Sequence, residues 1–148
     1  GYQFVDFKRH AWLLIILVVS EMVLVNIFKG VWARPRMRSI IDGENDFKYW
    51  YQISGWSNDN ELKSFPSGHT ANAWVGLAFV IFMPYLKKIK ASYWIIGASV
   101  WGTLVALSRV VLGAHFLSDV LVGSYITILL FILLNHFFLK GGKNENEV

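Results

Sequence analysis

Apolar and polar positions fall into long blocks along this chain and do not trace a single helical face. Four apolar runs stand out: Ala11 to Phe28, interrupted by Glu21 and Asn26, then Thr70 to Leu86, Tyr93 to Leu112 and Phe116 to Leu139. Each has roughly the 17 to 25 residues that a helix needs to cross a bilayer. Buried helices of a soluble bundle would show a polar stripe at a period of 3.6, and the stretch from Ser124 to Leu134 shows almost none. The pattern predicts an all-α fold: a polytopic membrane helical bundle with four transmembrane helices, forming one domain over residues 1–148.

The segments between the runs fill in the organisation. Residues 1–10 are aromatic and basic and are expected at the membrane interface. A long loop of about 30–66 follows the first helix, and a basic "KKIK" turn separates the second from the third. Only Gly113 and Ala114 link the third to the fourth, and the tail from about 140 to 148 is expected to be disordered. Loops as long as 30–66 are uncommon in compact domains and are often functional. This one carries Trp32, Tyr49, Trp50, Tyr51 and Trp56, rings that favour the headgroup level of a bilayer. The chain opens on Gly1, and no small-residue cleavage site follows the first run, so that run is not a signal peptide. The expectation is a piece of a longer polypeptide.

Composition agrees with this reading. The chain is 55% hydrophobic, with seven Trp and eleven Phe, and has no cysteine. A disulfide framework and thiolate chemistry are therefore excluded. The net charge of +4 invites a nucleic-acid partner, but topology explains the basic residues better. With four crossings, Lys8, Arg9, Lys87, Lys88, Lys90, Lys140 and Lys143 share one side. Short loops rich in Lys and Arg stay cytoplasmic, so the long loop faces outward. The expected partners are membrane lipids, with no nucleic acid.

Three fragments reach that outward face. Lys29 is followed by Arg34, Arg36 and Arg38; "PSGH" supplies Ser67, Gly68 and His69; "SRVVLGAHFLSD" supplies Arg109, His115 and Asp119. Taken singly, each has an ordinary explanation. Lys29 is a snorkelling lysine, Ser67 and Asp119 are helix caps, and His69 is a polar cap. Taken together they place several cations at an apolar boundary, where desolvation is costly. A bound polyanion relieves that cost, because Arg forks and helix-start amides suit phosphate. His115 and Asp119, four apart, share a helix face, so a carboxylate on one ring nitrogen would free the other for attack. His69 would then serve as general acid, and the cations would replace a metal.

These fragments resemble the type-2 phosphatidic acid phosphatase superfamily, whose motifs are Lys, six residues, Arg-Pro; Pro-Ser-Gly-His; and Ser-Arg, five residues, His, three residues, Asp. The second stands complete at Pro66, Ser67, Gly68 and His69, and the third at Ser108, Arg109, His115 and Asp119. The first stands as Lys29 and Arg36, with Met37 in place of the proline; an Arg-Pro pair also occurs at Arg34 and Pro35, and the family spacing favours Arg36. Arg34 and Arg38 then read as loop or headgroup charges. The resemblance implies a membrane lipid phosphatase without cofactor or metal. His115 would attack phosphorus to form a phosphohistidine, Asp119 would orient it and His69 would protonate the leaving group. Lys29, Arg36, Ser67, Gly68 and Arg109 would hold the phosphate. Implied substrates are polyprenyl diphosphate, phosphatidylglycerophosphate or phosphatidic acid. A phosphotransferase, a vanadate-loaded oxidase and an inactive lipid-binding protein are the alternatives. Family members usually have six transmembrane helices with this core in the last four, so two upstream helices are expected either to lie outside this chain or to be absent from the protein. Glu21 remains: a carboxylate within a membrane helix is a functional candidate by default, and it is expected to bond polar groups of neighbouring helices or to meet the upstream ones.

Overall fold

The computed structural model describes residues 2–86 and 90–140, and for 2–6 and 138–140 only the backbone. Most of the basic turn after Leu86 and of the predicted tail lies outside the described residues. Those residues form helices and loops with no strand. In order they are α1 (Tyr2–Trp32), α2 (Met37–Ile41), a 3-10 turn (Asn60–Leu62), α3 (Gly68–Val75) running into a 3-10 helix (Gly76–Phe82), α4 (Ala91–Val111) and α5 (Leu117–Lys140). The predicted fold class holds. Among the described residues three helices are long and apolar enough to cross a membrane, and the chain is an integral membrane protein.

Two elements differ from the expectation. The first helix begins at Tyr2, where an interfacial segment was expected, because nothing in the first ten residues breaks a helix. The second apolar run is eight residues of α-helix continued by seven of 3-10 helix. A 3-10 helix rises more per residue, so this short run still extends about 26 Å. Where the helix type changes, the Trp94 indole of α4 donates to the Gly76 carbonyl at 2.9 Å.

α3 is the hub, packed against α1, α4 and α5. Small residues allow the approach, as expected where lipid rather than water surrounds a bundle. Gly102 of α4 lies flat beneath Trp74, and a Cβ there would meet the indole at 2.8 Å. At Gly123 of α5 a Cβ would come within 2.5 Å of the Ser67 carbonyl. One turn on, the Thr127 hydroxyl donates to Ala71 O at 3.0 Å. Leu17, Val75 and Ala78 fill the centre.

The long loop is ordered by backbone pairing. The last carbonyls of α1 lack helical partners, and the amides of Ser57, Gly55 and Ser54 donate to Gly30 O, Val31 O and Trp32 O. Arg36 N donates to Glu61 O at 2.9 Å and Arg38 N to Gly113 O at 3.0 Å. The Arg38 side chain forks onto Glu61; that bond holds the Glu61 carboxyl below its usual range. Arg38 is thus a tie within the loop and not a free headgroup charge. Gly113, at φ 63°, occupies the left-handed conformation that turns the chain from α4 into α5.

Two expectations follow. Gly123→Ala has no space, because its obstacle is backbone; it should lower stability by about 1–3 kcal/mol, whereas Gly97→Ala, with nothing near its Cβ, should leave the thermal midpoint in detergent unchanged. Met37 is the first residue of α2, preceded by Arg36 at φ −73° and ψ 150°. The first helical position and the extended residue before it both suit a proline at 37, so Met37→Pro should leave the midpoint equal or raise it by the equivalent of about 0.4–1 kcal/mol.

Candidate active site

The site is built around a buried carboxylate. Asp119, 0% exposed, lies in the first turn of α5 and reaches back to the Phe116 amide at 3.0 Å, which is half of a capping box. Its other partners come from far along the chain. Arg34 Nη1 donates to one oxygen and the Ser64 hydroxyl to the other. Arg34, 3% exposed, also donates to Ser118 Oγ at 2.7 Å and to Lys48 O at 2.9 Å. Its guanidinium carbon stacks 4.2 Å from the centre of the Phe116 ring. This corrects the reading of Arg34 as a surface charge. Desolvated guanidinium and carboxylate hold one another.

His115 lies beside this pair, 2% exposed. Its Nδ1 is 2.7 Å from the carbonyl of Ser64 and 3.8 Å from Asp119 Oδ2. A carbonyl oxygen only accepts, so in the neutral ring the proton sits on Nδ1 and the lone pair on Nε2. His115 and Asp119 are neighbours, but not on one helix face: His115 lies in the bend before α5, the hydrogen bond that fixes its ring goes to Ser64, and the carboxylate adds its field from slightly farther away. Arg109 lies in the last turn of α4, and its carbonyl accepts from the amides of Ala114 and His115, which closes the turn that presents the histidine.

The second motif enters at the start of α3. Ser67, 0% exposed, caps the helix: its hydroxyl accepts from Thr70 N at 3.4 Å. Its own amide donates to Asp119 O at 2.9 Å and is spent there. The amides of Gly68 and His69, at the first two helical positions, have no partner within the helix. Gly68 brings the α3 backbone against α1, where a Cβ would lie 3.4 Å from Lys29 Nζ. His69 is exposed and lines a cleft of ≈ 200 Å³ with Glu21, Lys29, Gly68 and Asn72. Arg109, Lys29 and Arg36 all lie within electrostatic reach of the partly desolvated His69. Arg36 is held by Asn60 O at 3.0 Å through Nε.

The eight predicted residues therefore gather at one end of the bundle, and Lys29, Arg36 and Arg109 form no ion pair among the described residues. Sequence reasoning missed Arg34 and Ser64. The signal for Arg34 was present in the Arg34–Pro35 pair; a serine preceding Phe65 gave none. Among the described residues Glu21 does not bond the neighbouring helices, the first of its two expectations. It is 0% exposed and neither oxygen has a hydrogen-bond partner among the described residues. There is no cluster of three or more His, Cys, Asp or Glu side chains fit for a metal ion among those residues.

Comparison with known proteins gives the same grouping. Phosphatidylglycerophosphatase B of Bacillus subtilis is 44% identical over 79 residues, covering 50% of this chain and 38% of that protein. Phosphatidylglycerophosphatase B of Haemophilus influenzae is 41% identical over 81 residues, 52% of this chain and 33% of the relative. Lipid A 1-phosphatase of Rhizobium johnstonii is 29% identical over 106 residues, 72% of this chain and 38% of the relative. The chain thus aligns with well under half the length of each relative. No solved structure matches it. The PAP2 superfamily matches residues 10–143, and the chain belongs to that superfamily.

Proposed function

We propose that this chain is the catalytic domain of a membrane lipid phosphatase. It hydrolyses the phosphomonoester or diphosphate of a lipid through a phosphohistidine, without a metal. The observation that carries the reading is the bond from His115 Nδ1 to the Ser64 carbonyl, which leaves Nε2 as the basic nitrogen. Nε2 attacks phosphorus, the bond to the leaving oxygen breaks, and His69 supplies the proton that oxygen takes up. Water, deprotonated by His69, then cleaves the phosphorus–nitrogen bond and releases phosphate. The Asp119 carboxylate stabilises the positive ring as it forms.

Lys29, Arg36 and Arg109 balance the charge of the phosphoryl group. The free amides of Gly68 and His69 add the positive end of α3. Ser67 contributes by setting that helix start, since its amide is already bonded to Asp119 O. Arg36 rather than Arg34 is the phosphate ligand of the first motif: Arg34 is buried on Asp119, while Arg36 acts on His69. The site faces the extracytoplasmic side, as the lysine-rich segments on the opposite side suggest. The names of the relatives favour a lipid phosphomonoester such as phosphatidylglycerophosphate.

Phosphate release from a panel of lipid phosphates, by the full chain in detergent with EDTA, tests this. Release that persists in EDTA and falls by at least about 10³-fold in His115→Ala is the expected result; strict dependence on Mg²⁺ would rule out the metal-free mechanism. The two arginines should separate. Arg34→Ala leaves a buried carboxylate unpaired and should cost about 3–5 kcal/mol of stability. Arg36→Ala should keep its thermal midpoint and lose kcat/KM by about 10- to 100-fold, from loss of charged hydrogen bonds. Equal loss of stability in both would reverse the assignment.

A further inference from the structure

Among the described residues, Glu21 is the one buried carboxylate that neither the fold nor the proposed chemistry uses. It sits in the middle of α1, 0% exposed, with both oxygens unpartnered among the described residues. It lines the cleft that also holds Lys29, Gly68 and His69. The cleft is therefore continuous from the position of the leaving-group acid down to an unpaired acceptor.

The lining sets this carboxylate beside the apolar Met22 and Val25 and two exposed amides. Asn72 follows His69 by three residues on α3, and Asn26 follows Glu21 by five on α1; both line the same cleft. A neighbouring cleft of ≈ 480 Å³ shares only Met22 and Asn26 with it and is walled by Val23, Ile27 and Trp56. Apolar substrate has a better home there than against a carboxylate and two amides. Lys29 carries positive charge at the top of the polar cleft, which disfavours an ammonium group.

We propose that Glu21 is a specificity-determining residue: with Asn72 it receives a hydroxyl-bearing leaving group, such as a glycerol headgroup, beneath His69. A hydroxyl both donates and accepts, so it satisfies a carboxyl group in either ionisation state, which an alkyl chain cannot do. Discrimination arises because a substrate without the hydroxyl leaves a buried acceptor unpaired. The inference rests on the phosphatase reading.

The test compares kcat/KM for phosphatidylglycerophosphate, whose leaving group carries a free hydroxyl, with that for phosphatidic acid, whose leaving group carries none. It uses the full chain and Glu21→Leu and Glu21→Gln. The ratio of the two values is independent of how much enzyme is folded. Glu21→Leu should lower that ratio by about 10- to 100-fold, and Glu21→Gln, which still bonds a hydroxyl, by less. Should the Leu variant not fold, Glu21→Asp, one methylene shorter, should lower the ratio in the same direction. An unchanged ratio, with both activities falling together, would overturn the proposal and leave Glu21 a packing role. Failure of the wild-type chain to release phosphate from either lipid would instead overturn the parent reading.

Discussion

The contact between Arg34 and Asp119 is the constraint on which the rest of the site depends. Both side chains are withdrawn from solvent, and a single buried charge in that place would be costly. The pair is tolerable because donors and acceptors around it are filled. Asp119 also accepts from Ser64 and from its own helix start, while Arg34 also donates to Ser118 and Lys48. These bonds draw the segment after α1 and the segment before α3 onto the first turn of α5. His115 is fixed as a consequence, since its acceptor is the carbonyl of the serine that the carboxylate holds.

Backbone pairing extends this closure. Ser64 N meets Arg34 O, Ser67 N meets Asp119 O, and Arg38 N meets Gly113 O. Three motifs distant in sequence are joined main chain to main chain, which sets their spacing more firmly than long side chains would. Gly123 belongs to the same arrangement, because the approach of α5 to the Ser67 carbonyl leaves no room for a Cβ. Packing and catalytic geometry meet at that contact.

The sequence made the helices legible because hydrophobic length is an intrinsic property of a run of residues. It made the chemistry-bearing residues legible because their spacings are specific in combination. What it hid depends on tertiary neighbours. Arg34 and Arg36 are alike as residues two apart, and only the burial of the first against Asp119 separates a structural cation from one that acts on His69. Ser64 fixes His115 through a carbonyl that every residue possesses, and its hydroxyl meets Asp119 only once the loop has folded onto α5. The 3-10 continuation of α3 was equally hidden, since Gly76–Phe82 is as apolar as any α-helical run.

The distribution of charge gives these details a common sense. The carboxylate nearest the nucleophile is consumed by Arg34, so it neutralises none of the other cations. Lys29, Arg36 and Arg109 are left without acidic partners among the described residues, around an exposed histidine and two unpaired helix-start amides. Mutual repulsion disfavours that arrangement unless an anion completes it. A phosphoryl group carries its charge on several oxygens directed outward from one atom, and cations supplied by three separate elements can each meet one of them. On the proposed reading the same economy extends to Glu21: the bundle leaves one acceptor unpaired below the cationic ring, and the substrate completes both.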